Sequence, residues 1–382
     1  MSLFLGLGVQ QARAAEVAEF WDAGFLRIDY QLQARLGERD QMADPSRSGN
    51  TYDAYVRRNR LSFIGAANET FGGVVQLEYN GGQRLGDVSV SDQRRKFELV
   101  LLDAYATADP ASFLRVRVGK TKHVLTREVQ EGCFDPLSID RSPFILGPFS
   151  AHAAEKTTRD VGLMVWGNVY DSVFQYRLAV MQGNRFGDTP EGIGFRYTGR
   201  VHVTFFDKEA GSVYKGTYVG KKRVLTLGAG YELQPNAVYA SEVLGVASGA
   251  QTYRAYTYDL FYEHPTPFGT FTVSGAYLKA DFGEAAIRGV ADAQGVSGER
   301  SGYYWKAGYM LGPVQVFGRY EKWSFASLSG VVGQQLTWLV GGVNFYAYGD
   351  HLRLTLEASS TRFQLAPATD FATVLFQTQV RF

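Results

Sequence analysis

The stretch that decides the fold spans residues 26–36 and reads Leu26-Arg27-Ile28-Asp29-Tyr30-Gln31-Leu32-Gln33-Ala34-Arg35-Leu36. Every even position is apolar or small, and every odd position is polar. Because successive side chains of a β-strand point to opposite faces of the sheet, this stretch predicts a strand with one oily and one wet face. It is longer than the ~5–6 residues of an average soluble strand and matches the about 9–11 residues of a tilted strand that crosses a bilayer.

The same alternation recurs along the chain, whereas helical spacing is not sustained anywhere. Clear examples lie at 174–180, 196–205, 314–321 and 352–357. No stretch approaches the ~18–20 unbroken apolar residues of a membrane-spanning helix, and the mean hydropathy is −0.16. A membrane barrel has this low value because only alternate residues face lipid. The pattern therefore predicts an all-β transmembrane barrel.

The connections between these strands alternate in length. Short turns are predicted near 67–71, 109–111, 168–172, 264–268, 312–313 and 347–350. Longer polar segments are predicted near 37–52, 81–95, 120–158, 184–193, 233–250, 281–301, 324–334 and 361–370. One exception falls at 207–222, where a short turn is due. Short turns at one end and long loops at the other are typical of antiparallel up-and-down outer-membrane barrels, and eight long loops imply about 16 strands.

The two ends of the chain fit this fold. Residues 1–15 contain a short apolar run and an A-x-A site, which predicts a signal peptide with a truncated basic region. Residues 16–382 would then form a single transmembrane barrel domain. The last residues, from Val374 to Phe382, alternate and end in phenylalanine. They predict a lipid-facing closing strand and resemble the signal that the outer-membrane assembly machinery reads.

Composition excludes several classes of function. The formal net charge is +1, which gives no whole-chain attraction to nucleic acid. Cys133 is the sole cysteine, so no disulfide framework or multi-cysteine metal site is possible. The five histidines have no metal-ligand spacing, and no phosphate-binding glycine loop or G-x-S-x-G motif occurs. We therefore expect no enzyme activity, metal or cofactor; scattered Ser, His and Asp leave an outer-membrane lipase or protease as a minor alternative.

Strand parity places many arginines on the wet face, inside the barrel. The lumen-facing cations are Arg27, Arg35, Arg58, Arg60, Arg115, Arg117, Arg177, Arg196, Arg200, Arg319, Arg353 and Arg381. The lumen-facing acids are fewer: Asp29, Glu78, Asp103, Asp259, Glu321 and Glu357. Arginine stays charged and binds oxyanions bidentately, so this excess predicts a pore that prefers anions. The alternative is that many of these arginines only pair with carboxylates on neighbouring strands.

Several short segments resemble the phosphate-selective porin O/P family. They are Arg57–Leu61, Leu102–Tyr105, Leu114–Lys120, Arg159–Gly162, Gly216–Arg223 and Val343–Tyr346. The resemblance implies a trimeric 16-stranded barrel, a third loop (about 120–158) folded inward to narrow the pore, and an arginine ladder that includes Arg58, Arg60, Arg115 and Arg117. In the loop, the cations Lys120, Lys122, Arg127, Arg141 and Lys156 stand beside the acids Glu128, Glu131, Asp135, Asp140 and Glu155. That mixture argues against a dedicated phosphate trap.

The composition of the third loop also favours an inward position. It carries the apolar cluster Phe144-Ile145-Leu146 and several prolines and glycines. A loop of about forty residues with its own oily patch is unusual in water. We expect it to pack inside the lumen and to set the size of the pore.

These observations predict an outer-membrane porin for passive diffusion of small hydrophilic solutes, with a preference for anions that extends to phosphate-type oxyanions. The predicted partners are outer-membrane lipid, lipopolysaccharide and two further copies of the chain in a homotrimer. The alternative function is a sheath around a multihaem cytochrome that conducts electrons; its haems would come from the partner, because the chain has no C-x-x-C-H motif. A soluble two-domain β protein is the third possibility.

Overall fold

The computed structural model describes residues 24–43, 49–80, 98–142, 145, 158–183, 194–243, 246–281, 298–325, 327–328 and 331–382. The predicted signal peptide (1–15) and Lys156 lie outside these residues. Among the described residues, no helix is long and apolar enough to cross a membrane.

The described chain is almost entirely β-structure. The strands are β1 (Phe25–Arg39), β2 (Thr51–Ala66), β3 (Phe71–Asn80), β4 (Glu98–Ala111), β5 (Leu114–Lys122), β6 (Arg159–Val169), β7 (Phe174–Met181), β8 (Arg196–Phe206), β9 (Val224–Val243), β10 (Val246–Thr266), β11 (Gly269–Asp281), β12 (Glu299–Leu311), β13 (Val314–Ser324), β14 (Ser327–Leu328), β15 (Val331–Val332), β16 (Gln335–Asp350), β17 (Leu352–Phe363) and β18 (Phe371–Arg381). One short helix, α1 (Arg127–Gln130), follows β5.

Sixteen of these strands form one closed antiparallel barrel, which confirms the predicted fold, and β14 and β15 form a small separate hairpin. The barrel closes between β1 and β18. There Tyr30 and Phe382 exchange two backbone hydrogen bonds, of 2.8 and 3.0 Å. Closure leaves the barrel sheet without a free edge, so its backbone groups need no partner from lipid.

The alternation in sequence becomes an apolar outside and a polar inside. In β13, Val314, Val316 and Tyr320 are exposed on the outer wall, whereas Gln315 and Arg319 are buried on the inner wall. On the closing strand, Val374, Phe376 and Phe382 are exposed outside as predicted. Apolar side chains on the outer face suit a hydrocarbon environment, which supports the predicted location in the bacterial outer membrane.

One β-bulge changes what parity predicts. Gln33 pairs with Arg58 and Ala34 pairs with Val56, so Arg57 is an extra residue in β2 without a partner in β1. Arg57 and Arg58 are therefore neighbours in sequence that are both buried inside the barrel.

The described connections follow the predicted order, with one departure, and the predicted loops at 81–95 and 184–193 lie outside the described residues. The predicted loop at 233–250 is wrong, because β9 and β10 continue to Val243 and from Val246. The exception at 207–222 is real: residues 207–223 join β8 to β9 at the end where the other turns are short. We call residues 207–223 the inner segment, because they fold into the barrel.

Candidate functional site in the barrel lumen

The third loop lies inside the barrel, as predicted, over the part that the structure describes. β5 ends at Lys122 and β6 begins at Arg159, so the loop is 123–158 rather than 120–158; we call it the constriction loop. Its described part contains α1, which begins after Thr126. The Thr126 hydroxyl accepts a hydrogen bond from the Val129 N–H at 3.1 Å and caps the helix.

Asp140 fixes one end of this described part of the loop to the barrel wall. Its carboxylate lies 3.1 Å from an Nη of Arg35, 3.1 Å from Arg57 and 3.0 Å from Arg58. Burial alone would raise the pKa of Asp140, but Arg58, Arg57 and Arg35 hold it well below its usual value. One acid thus satisfies three arginines from β1 and β2.

Glu128 of α1 makes the corresponding contact with another part of the wall, on β12 and β13. It lies 2.6 Å from the Lys306 Nζ and 3.1 Å from an Nη of Arg319, and the Ser142 N–H donates to it at 2.6 Å. Burial opposes ionisation, but Lys306 and Arg319 lower the pKa of Glu128 to about 2. The loop therefore spans the lumen from β1–β2 to β12–β13.

Polar side chains of the wall satisfy the backbone of the loop between these two ends. Arg353 donates to the Pro136 carbonyl at 2.8 Å, Asn344 to that of Leu137 at 2.7 Å, and Gln379 to that of Phe134 at 2.9 Å. In return, the Ile139 N–H donates to Glu357 at 2.8 Å. Buried loop backbone needs such partners, because each unpaired group costs about 1–3 kcal/mol.

The apolar side of the loop packs on an aromatic part of the wall. Leu125, Val129, Leu137 and Ile145 belong to one buried cluster with inward-facing side chains of the strands. The wall side of that cluster includes Tyr304, Phe317, Trp323 and Trp338. Ile145 is the described member of the predicted oily patch, and it is buried, as expected for an inward position.

Cys133, for which the sequence indicated no role, lies among cations. Its Sγ is 3.2 Å from an Nη of Arg60, and its carbonyl accepts from Gln33 at 3.2 Å. Burial raises the pKa of a thiol, but Arg141, Arg60 and other nearby cations bring that of Cys133 well below its usual value.

The inner segment fills the lumen next to the constriction loop. Its Glu209 accepts two hydrogen bonds from Arg127, at 2.7 and 2.8 Å, and both side chains are buried. Its Tyr214 is also buried, and its ring lies against the guanidinium groups of Arg127 and Arg177. With a short turn at this position, Arg127 of the loop would lack its carboxylate and Arg177 of the wall would lack the contact with the Tyr214 ring.

Most of the predicted lumen-facing arginines are held by carboxylates. Arg58 contacts Asp140, Arg60 contacts Glu78, Arg196 lies near Asp160 and Glu232, Arg200 pairs bidentately with Asp259, and Arg319 contacts Glu128 and Glu321. In the loop, Arg127 pairs with Glu209. The alternative of structural pairing thus accounts for these six residues.

A second group donates to uncharged oxygens. Arg177 bonds Gln130 at 2.6 Å and the carbonyls of Ser212 and Gly211, Arg353 bonds Pro136, Arg141 bonds the Val129 carbonyl at 2.9 Å, and Lys122 bonds the Glu131 carbonyl at 2.7 Å. Lys120, which was predicted to belong to the constriction loop, does not face the lumen. It lies on β5 in the outward register of Val118 and Val161, and its Nζ donates to the Leu101 carbonyl at 2.5 Å.

Arg115 and Arg117 are different from both groups. Among the described residues, neither makes an ion pair with a carboxylate. Arg115 lies over the Trp166 ring at 4.6 Å and is partly exposed, and Arg117 lies over the Tyr105 ring at 4.3 Å. The inward-facing side chains near them are also partly exposed: Gln31, Gln76, Tyr105 and Thr107. Arg115 and its inward-facing neighbours on β3–β5 are therefore partly exposed to the lumen, whereas Arg117 is 9% exposed and donates to the Thr121 hydroxyl at 3.3 Å.

Sequence reasoning missed several charged residues of the lumen. Parity did not place Arg57 in the lumen, because the bulge interrupts the alternation there. Lys306 lies in β12, to which strand parity was not applied. Glu209 lies in the inner segment, whose unexpected length was the one signal that could have identified it.

The fold is that of the bacterial outer-membrane porins. The chain is similar to an anion-selective porin from Comamonas acidovorans (TM-score 0.61, 11% identity, 94% of this chain and 100% of that one). It is also similar to the outer-membrane channel DcaP of Acinetobacter baumannii (TM-score 0.59, 10% identity, 94% and 98%). A third similar structure is the trimer form of OmpT, an outer membrane protein of Vibrio cholerae (TM-score 0.56, 10% identity, 94% and 100%). The sequence matches no protein-family model, and no curated protein matches it either.

Proposed function

We propose that the chain is a porin of the bacterial outer membrane, a water-filled channel through which small hydrophilic solutes diffuse passively, with a preference for anions. The observation that carries this proposal is the inner face of β3–β5, where Arg115 is partly exposed and has no carboxylate partner among the described residues. Guanidinium groups that line water without a counter-charge attract anions and repel cations. Phosphate-type oxyanions fit the bidentate geometry of arginine.

Several finer features belong to the same proposal. Residues 1–15 would be a signal peptide for the barrel domain at 16–382. The trimer is supported by the trimer form of a similar structure, and lipopolysaccharide would contact the outer wall. Membership of the phosphate-selective porin O/P family rests on the short sequence segments alone.

The cytochrome sheath is the weaker candidate. A chain of haems needs an open bore, whereas the constriction loop and the inner segment of this chain already occupy the lumen. Purified protein would show no haem absorbance under the porin proposal.

The test is the zero-current potential across a planar bilayer with a KCl gradient. Wild-type protein should conduct and prefer chloride. Arg115→Gln should lower the chloride-to-potassium permeability ratio about twofold, because it removes a partly exposed lumenal charge. Lys322→Gln is the matched control, because Lys322 lies exposed on the outer wall. Absence of conductance would overturn the channel function, and cation preference would overturn the proposed selectivity.

A further inference from the structure

The inner segment is long where the other turns at its end of the barrel are short, and it does not lie in water. We propose that this segment positions the constriction loop, and so sets the width of the pore, through the ion pair of Arg127 with Glu209. The inference rests on the proposed channel function. Arg127 and Glu209 are positioning residues here, because they act on the pore through the loop.

The backbones of the two segments pair directly. The Tyr214 N–H donates to the Gln130 carbonyl at 3.2 Å, and the Gly132 N–H donates to the Tyr214 carbonyl at 3.1 Å. The Gly216 N–H donates to the Asp135 carbonyl at 3.0 Å. The inner segment therefore follows the constriction loop from the end of α1 onward, and movement of the loop requires these bonds to break.

The ion pair lies at the start of this contact. Arg127 belongs to α1, and Glu209 also accepts hydrogen bonds from Thr226 at 2.5 Å and Tyr218 at 2.6 Å. Burial raises the pKa of Glu209, but Arg127 and these hydroxyl donors lower it to about 2. With Arg127 bound, the carboxylate is fixed and charged, which suits an anchor.

The inner segment is in turn fixed to the barrel wall. Glu263 of β10 accepts bonds from the Thr217 hydroxyl at 2.9 Å and from the N–H groups of Tyr218 and Gly220, at 2.8 and 2.9 Å. On the other side, Asn168 donates to the Ala210 carbonyl at 2.9 Å. Because its anchors lie on rigid strands, the segment can transmit the position of the wall to the loop.

The loop consequently has two kinds of attachment. Asp140 and Glu128 bond the wall directly, as do the carbonyls of Cys133 and Phe134. Arg127 and the backbone of Gln130, Gly132 and Asp135 instead bond the inner segment, which is itself fixed to the wall. If the contact with Glu209 is removed, Arg127 of α1 remains buried on the β7–β10 side of the lumen without its carboxylate. Such a residue gains by moving toward water.

The experiment compares single-channel conductance in planar bilayers for wild type, Glu209→Gln, Arg127→Glu, and the exchange of both charges. Glu209→Gln keeps the shape of the side chain but removes its charge, so the barrel should still assemble. We expect both single variants to raise conductance roughly twofold and to increase current fluctuations, because the loop is released. The double exchange should restore conductance toward the wild-type value.

Glu299→Gln is the control. Glu299 of β12 and Lys279 of β11 form an ion pair at 2.7 Å in the outward register of their strands, away from the inner segment. Its loss should leave conductance unchanged. Wild-type protein that does not conduct would overturn the proposed function. A conducting wild type with Glu209→Gln at the same conductance, or with Glu299→Gln raising it equally, would overturn the positioning role alone.

Discussion

The arginines of β5 and those of β7 and β8 share one residue type and one alternation, but their surroundings differ. Arg115 and Arg117 lie over aromatic rings; Arg115 is partly exposed and Arg117 is 9% exposed. Arg177 and Arg200 are each 1% exposed and are bonded to carbonyls, amides and a carboxylate. Among the described residues, the inner segment and the constriction loop bond the second pair and not the first. Inward parity therefore places an arginine in the lumen, and the covering segments decide whether a solute can meet it.

The largest expected effect on stability concerns the buried arginines of this comparison. Asp259→Ala leaves Arg200 buried without its carboxylate, so we expect the free energy of unfolding to fall by about 3–5 kcal/mol. Asp29→Ala is the matched variant, because Asp29 pairs with a half-exposed Arg27 at 2.9 Å and such pairs contribute about 0–1 kcal/mol. Urea unfolding in lipid vesicles measures both. Equal losses would contradict the distinction.

The next effect tests the contact between the inner segment and the constriction loop. A Cβ on Gly216 would lie 2.7 Å from the Leu137 nitrogen and 2.9 Å from the Pro136 Cα. Gly216→Ala should therefore separate the inner segment from the constriction loop and destabilise the barrel by about 1–3 kcal/mol. Gly341→Ala, on the outer wall with nothing within 4 Å of its Cβ, is the control in the same unfolding measurement. If both variants unfold alike, the close contact does not exist.

A smaller effect depends on pH. Glu131 is buried, and burial together with the neighbouring Glu128 raises its pKa to about 7, although Lys306 and Arg127 oppose the shift. Because the folded pKa lies above the unfolded value near 4.5, the folded state retains the proton longer. Stability should thus fall as the pH rises from about 4.5 to 7, and the loss should then persist.

Glu131→Gln removes that titration. It should flatten the dependence of stability on pH across this window and add on the order of 1 kcal/mol above pH 7. The comparison is the urea midpoint of both proteins at pH 5 and pH 8. A wild type that gains stability toward pH 8 would contradict the assignment.

The smallest effect lies on the wet side. Arg115→Gln removes a partly exposed charge that makes no ion pair among the described residues, so stability should change by only about 0.5 kcal/mol. Its ring contact with Trp166 is worth a similar amount at an exposed site. Unfolding that shifts as far as for Asp259→Ala would show that β5 is as tightly covered as β8.

Local pattern was sufficient for the barrel because alternation is a property of each strand by itself. Residues 26–36 already specify which side chains of β1 face lipid, and the closing strand repeats the rule at Val374 and Phe376. The pairing of each arginine could not be predicted in this way. Arg127 and Glu209 are 82 residues apart, and Asp140 meets Arg35 across 105. Such contacts depend on how two connections fold inward, for which the sequence carries composition but no periodicity.

The bulge at Arg57 has a consequence for how such a barrel can change. On both sides of it the chain keeps its usual faces: Val56 points outward, Tyr55 and Arg58 inward, whether or not Arg57 is present. The extra residue therefore supplies a lumenal charge, which contacts Asp140, and leaves the lipid-facing register unchanged. Pore chemistry can in this way be altered by gaining a residue in a strand, a route that leaves the membrane-facing surface untouched.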